Sequence, residues 1–109
     1  MNTQIFKGRD GWEATTNIDL DGGQTAQITT CKRYNGKIET HVSVGTIKRD
    51  ANFTSFTHAI FSDYSKCFAS DKMRCTDKSV NAQHQFVLNS WETIKADIVV
   101  FYKNKSIAA

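Results

Sequence analysis

The strongest constraint on this chain is a change of hydrophobic rhythm near residue 50. Before that point apolar residues recur at every second position, and after it at every third or fourth. In "GWEATTNIDLDGG", Trp12, Ala14, Thr16, Ile18 and Leu20 alternate with Glu13, Thr15, Asn17 and Asp19. Successive side chains on a strand point to opposite faces, so this pattern predicts a strand with one dry and one wet side. "DGG" at 21–23 supplies residues that tolerate positive φ and marks a turn. "TQIF" predicts a shorter strand before it, joined through "KGRDG".

Parity selects the loop of the next hairpin. A two-residue loop at Asn35-Gly36 places Ile28 and Val42 on opposite faces and wets half the apolar residues. A three-residue loop, Tyr34-Asn35-Gly36, pairs Arg33 with Lys37, Ile28 with Val42 and Ala26 with Val44, which gathers the apolar set on one face. Gly36 then takes the left-handed position of a type I turn with a G1 bulge. The wet face carries Gln27, Thr29, Cys31 and Arg33 beside Lys37, Glu39, His41 and Ser43.

Beyond residue 50, Phe53, Phe56, Ile60, Tyr64, Cys67 and Phe68 fall in one helical stripe, with Asn52 placed to cap it. Residues 69–79 are polar and aperiodic, a connection. From Thr76 or Ser79, Val80, Val87, Trp91, Ile94, Ile98 and Phe101 recur at helical spacing. A helix over 79–103 would be about 37 Å long, against a radius of gyration of about 13 Å for a chain of this size. Its end, "DIVVFY", is apolar nearly all round. It either carries the helix out to a partner or forms a final strand. No turn cluster interrupts the helical pattern, so the helix is preferred.

The expected fold is therefore α+β: a three- or four-stranded antiparallel meander in the N-terminal half, then two helices packed on one face. An extended chain through residues 53–68 would collapse this architecture and take both binding readings below with it. The 109 residues suit one domain, and a 39% hydrophobic and 23% charged composition suits a folded one. No apolar run approaches the ~20 residues that cross a bilayer, and the N-terminus has no secretory pattern. The expected location is cytoplasmic. Cys31, Cys67 and Cys75 are odd in number and lack a compact metal spacing, so free thiols are expected there.

Charge is unevenly spread. Residues 31–49 hold Lys32, Arg33, Lys37, Lys48 and Arg49 against Glu39, while residues 1–30 are net acidic. Clustered cations on a β-ribbon suit phosphate contact, with Tyr34 placed to stack on a base. Arg33 facing Lys37 is a like-charge pair that an anionic partner would relieve, though a solvated sheet face explains it too.

No nucleophile elbow, metalloprotease helix, P-loop or dinucleotide fingerprint occurs, and no catalytic residue, metal or cofactor is expected. Cys31 and His41 share the wet face two rungs apart. Cys67, Cys75 and His84 lack the short knuckle of a zinc site, and Cys67 and His84 suit core positions instead. Leu88, Trp91, Val99, Val100, Phe101 and Tyr102, with Phe86, offer more apolar surface than one core hides, and aromatics of this kind anchor interfaces. The leading expectation is a non-enzymatic regulatory or interaction protein, a homodimer through its C-terminal helix. The alternative is nucleic-acid binding by the hairpin around Asn35-Gly36.

Overall fold

A computed structural model describes the backbone of residues 3–8, 11–20, 24–33, 36–49, 56–71 and 74–108, with their side chains except at 46–49, 56–63 and 105–108. Five strands come first: β1 (Thr3–Gly8), β2 (Gly11–Asp19), β3 (Thr25–Lys32), β4 (Ile38–Arg49) and β5 (Phe56–Ala69). Two helices follow, α1 (Asp77–Leu88) and α2 (Trp91–Ala108). The strands form one antiparallel sheet in chain order, β1-β2-β3-β4-β5. The class is α+β as expected, with five strands where three or four were expected.

The central hairpin has the register that parity selected. Ile28 pairs with Val42 and Ala26 with Val44, and the Arg33 amide donates to the Lys37 carbonyl at 2.9 Å across the loop. Gly36 has φ +80°, the left-handed region the bulge requires. Tyr34 and Asn35, the turn at 21–23, Asn52 and Phe53 lie outside the described residues. Replacing Gly36 by Val forces a β-branched residue into that region, with an expected loss of about 1–3 kcal/mol, read as a lowered unfolding midpoint. An unchanged midpoint would remove the turn assignment.

Two corrections concern the second half. The segment expected as a first helix is β5, paired to β4 from Glu39↔Ala69 to Arg49↔Phe56. Its register shifts between Ser43 and Gly45 and again between Lys48 and Arg49, each time with extra residues on β5. Bulges interrupt strict alternation, so the apolar spacing of 56–68 imitates a helical stripe. The helix expected over 79–103 is instead two helices, broken at Asn89 and Ser90. The Asn89 amide donates to Gln85 O, the Ser90 amide to Val87 O, and the Ile94 amide to Ser90 O. Asn and Ser compete locally for backbone groups and favour helix ends. The break removes the length problem, since 18 residues span about 27 Å. "DIVVFY" is helical.

The start of α1 is a capping box. Thr76 Oγ1 accepts from the Ser79 amide at 3.1 Å, and the Thr76 amide donates to Ser79 Oγ at 2.9 Å. Gly11, with φ +126°, lets β2 begin directly beneath Cys75, whose sulfur would lie 3.0 Å from any Cβ there.

Both helices cover one face of the sheet. Val87, Leu88, Trp91, Ile94 and Ile98 pack with Ala26, Ile28, Val42, Val44 and Tyr64, while Val80 packs with Ala14 and Ile38. Burial of this kind stabilises by about 25 cal/mol per Å² of apolar surface.

A polar seam runs through that apolar layer. His84, wholly buried on α1, holds Thr16 Oγ1 at 2.7 Å through Nε2 and Thr30 Oγ1 at 2.8 Å through Nδ1. Thr16 continues to Thr3 at 2.8 Å, and Thr30 to Thr40 at 2.7 Å. Hydroxyls donate once and accept twice, so a neutral imidazole fits one continuous chain of five side chains across β1, β2, α1, β3 and β4. Burial pushes the His84 imidazole down to about 4. It stays neutral at pH 7.

Candidate functional site

The face of the sheet opposite the helices is polar, and side chains from three of its strands converge there. Glu39 and His41, two residues apart on β4, project to the same side. His41 pairs across the ladder with Cys67 of β5, and Glu39 with Cys31 of β3. Glu39 Oε2 lies 3.3 Å from His41 Nε2 and 3.6 Å from Cys67 Sγ, and Cys67 Sγ lies 3.7 Å from His41 Nε2. Arg33 reaches over this group, its Nε 3.9 Å from Glu39 Oε2 and its guanidinium 4.0 Å from Cys31 Sγ. The Glu39 side chain is 15% exposed and that of His41 29%. The rigid ladder sets all three positions.

Partial shielding of the sulfur from water, then the Glu39 carboxylate, holds the Cys67 thiol above its ordinary range, with Arg33 pulling the other way. The thiol is protonated at neutral pH and donates to Glu39. That is the opposite of the depressed pKa of an activated nucleophile. The sulfur next to His41 is also that of Cys67, and not the Cys31 sulfur expected two rungs away. Cys67 went unrecognised because a helical reading of 53–68 turned it toward the core. As part of β5 it faces solvent. Cys67, Cys75 and His84, which lack a zinc spacing in the sequence, are dispersed: Cys75 donates to Trp12 O at 3.4 Å and His84 is buried between α1 and the sheet.

The basic residues do not form one patch. Lys32 is exposed at the sheet rim beside buried Ile38. Arg33 has Glu39 nearby, and Lys37 Nζ lies 4.0 Å from Asp71 Oδ1. Lys48 and Arg49 stand at the other end of β4, about 36–40 Å from Lys37 at 3.3 Å per strand residue. Their side chains lie outside the described residues.

The apolar candidates divide. Leu88 and Trp91 are buried in the protein's own core, because the break at Asn89–Ser90 turns both toward the sheet. Phe101 and Tyr102 are half-buried, with Phe101 edge-on to Tyr64 at 5.4 Å and to Tyr102 at 5.1 Å. Val99, Val100 and Phe86 are exposed by 60, 53 and 68%. Beside Val99 an open groove of about 240 Å³ is lined by Leu20, Gln24, Lys95, Ile98, Val99 and Tyr102. Tyr64 donates to Asp97 Oδ2 at 2.8 Å, and Lys66 stands 3.7 Å from the same carboxylate, which pins α2 to β5. Shielding from water and the Asp97 carboxylate raise the Tyr64 phenol pKa.

Among the described residues, no helix is long and apolar enough to cross a membrane. No family model matches the chain, and no significant match is found to a curated protein or to a solved structure.

Proposed function

We propose that the protein acts by binding rather than catalysis, as a small interaction protein that pairs with a second copy of itself through α2. The observation that carries this reading is Val99 and Val100, exposed side by side on α2 next to the groove. The groove is smaller than the about 300–1,000 Å³ that encloses a drug-sized ligand. Open and apolar-walled, it suits a few side chains from another surface. A two-fold dimer places the same patch on both copies, so a knob beside a groove is self-complementary. The extended chain at 56–68 removes the architecture the sequence implied, so the reading rests on α2 with Leu20 and Gln24 alone.

Size-exclusion chromatography with light scattering is expected to give twice the chain mass at tens of micromolar. Val99→Glu with Val100→Glu is expected to give a monomer with stability changed by less than about 0.5 kcal/mol, because both positions face solvent. A wild-type monomer at that concentration would sink the reading.

Nucleic-acid binding keeps one specific observation. β4 and β5 run on past the end of β3 as a two-stranded ribbon, Thr46–Arg49 paired against Phe56–Ile60. A ribbon of this kind fits a major groove, and Lys48 and Arg49 stand on it. On this reading Lys48→Glu with Arg49→Glu weakens salt-sensitive binding to mixed-sequence DNA or RNA more than Arg33→Glu with Lys37→Glu does. No gel shift at low salt removes it.

A further inference from the structure

We propose that Glu39, His41 and Cys67 form a binding site for a divalent transition-metal ion of the zinc type on the open face of the sheet. The three donor atoms lie within 4.8 Å of one another. Zinc holds carboxylate oxygen near 2.0 Å, imidazole nitrogen near 2.05 Å and thiolate sulfur near 2.3 Å, so tetrahedral angles separate O and N by about 3.3 Å, S and O by about 3.5 Å, and S and N by about 3.6 Å. The corresponding separations here are 3.3, 3.6 and 3.7 Å. The three donor–donor separations match the edges of a zinc tetrahedron within about 0.1 Å.

Three further features suit the ion. The donor types, one sulfur, one nitrogen and one oxygen, match a borderline-soft dication rather than calcium or magnesium, which prefer oxygen alone. A thiolate and a carboxylate neutralise the ion once the Cys67 proton has left to solvent, and the Arg33 guanidinium, its Nε 3.9 Å from Glu39 Oε2, has to swing away into solvent as the ion enters. The framework is rigid: Glu39 and His41 are held on one strand and Cys67 is the ladder partner of His41. Cys67 is exposed, and the fourth ligand would be water or a donor from outside the chain. Cys31 is not a ligand. Two strand spacings of about 4.8 Å separate its backbone from that of Cys67, and its sulfur stands against Arg33 instead. The site is on the other side of the sheet from α2, so it is independent of the dimer reading.

The test is titration of the untagged, reduced, metal-free protein with Co²⁺, followed by Zn²⁺ competition. One equivalent per chain is expected, with a thiolate-to-cobalt charge-transfer band and the intense visible bands of tetrahedral cobalt, both erased by zinc. Cys67→Ser and His41→Ala are each expected to weaken binding at least about tenfold and to remove or alter the spectrum. Cys31→Ser and Cys75→Ser should leave it intact. All three ligands are on the wet face, so far-ultraviolet circular dichroism should be unchanged in the variants. A second readout needs no substitution: Zn²⁺ should protect Cys67, and neither of the other cysteines, from alkylation as read by peptide mass. The site is refuted by a wild-type protein without a cobalt spectrum at about 100 µM metal, by an unaltered spectrum in Cys67→Ser, or by Cys67 labelling at the same rate with and without zinc.

Discussion

Replacing His84 by alanine is expected to cost about 3–5 kcal/mol of unfolding free energy, the largest single-residue effect foreseen for this chain. The side chain is wholly buried between α1 and the sheet, so its removal leaves a cavity that the surrounding strands cannot close. It also takes from Thr16 and Thr30 their partner on the helix side, leaving each with one hydroxyl neighbour, Thr3 and Thr40 respectively. Urea unfolding followed by tryptophan fluorescence measures the loss, with an unchanged slope showing that the transition is still two-state. A companion experiment separates packing from polarity. His84→Leu alone cuts the chain of side chains into two pairs, Thr3–Thr16 and Thr30–Thr40, whereas His84→Leu combined with Thr16→Val, Thr30→Val and Thr40→Val removes every wholly buried member together. The quadruple variant is expected to be more stable than the sum of its parts, because buried groups left short of a partner carry most of the cost. A cost below about 1 kcal/mol for His84→Ala would mean that water takes over the vacated bonds.

The second large effect is with pH. In the unfolded chain His84 titrates near its ordinary value of 6.5, and in the folded protein at about 4. Between these two the unfolded state holds a proton that the native state does not, and stability rises with pH wherever that is true. The contribution of a neutral His84 is therefore fully present above pH 6.5 and is lost progressively as the pH falls toward 4. At the bottom of that window the loss approaches about 3 kcal/mol. Carboxylates protonate in an overlapping range, so the diagnostic quantity is the difference between wild type and His84→Leu. That difference should shrink steadily from pH 7 to pH 4. A constant difference across the range would place a charge-stabilising group against the imidazole.

How much of this was legible varies by element, and the variation has physical causes. The hairpin register followed from parity because one face is buried, and a slip by one residue would have exposed Ile28 or Val42. Gly36 added independent turn chemistry. β5 defeated the same logic. It pairs with β4 as a long hairpin closing at Arg49↔Phe56, and its bulges disturb the alternation that marks a strand. The class survived because a fifth strand replaced the expected first helix while the expected second helix divided in two. That division was signalled by Asn89-Ser90, two residues that favour helix ends. The cluster at Glu39, His41 and Cys67 was half visible: parity placed Glu39 and His41 together, but the helical reading of 53–68 sent Cys67 inward. The polar seam also left a trace. Thr16, Thr30 and Thr40 share the dry parity of Ile18, Ile28 and Val42, and His84 falls midway between Val80 and Val87 on the inner stripe of α1. Three hydroxyls on neighbouring strands beneath one imidazole are a pairing signal that only the register reveals.

The order of elements has a consequence for synthesis. Every strand bonds to its sequence neighbour, so hairpins can close while the chain is still leaving the ribosome. Their greasy side has nothing to lie against until α1 and α2 emerge. The nascent meander must spend that interval naked, and a message truncated before residue 77 would deliver sticky sheets rather than a smaller version of the same protein.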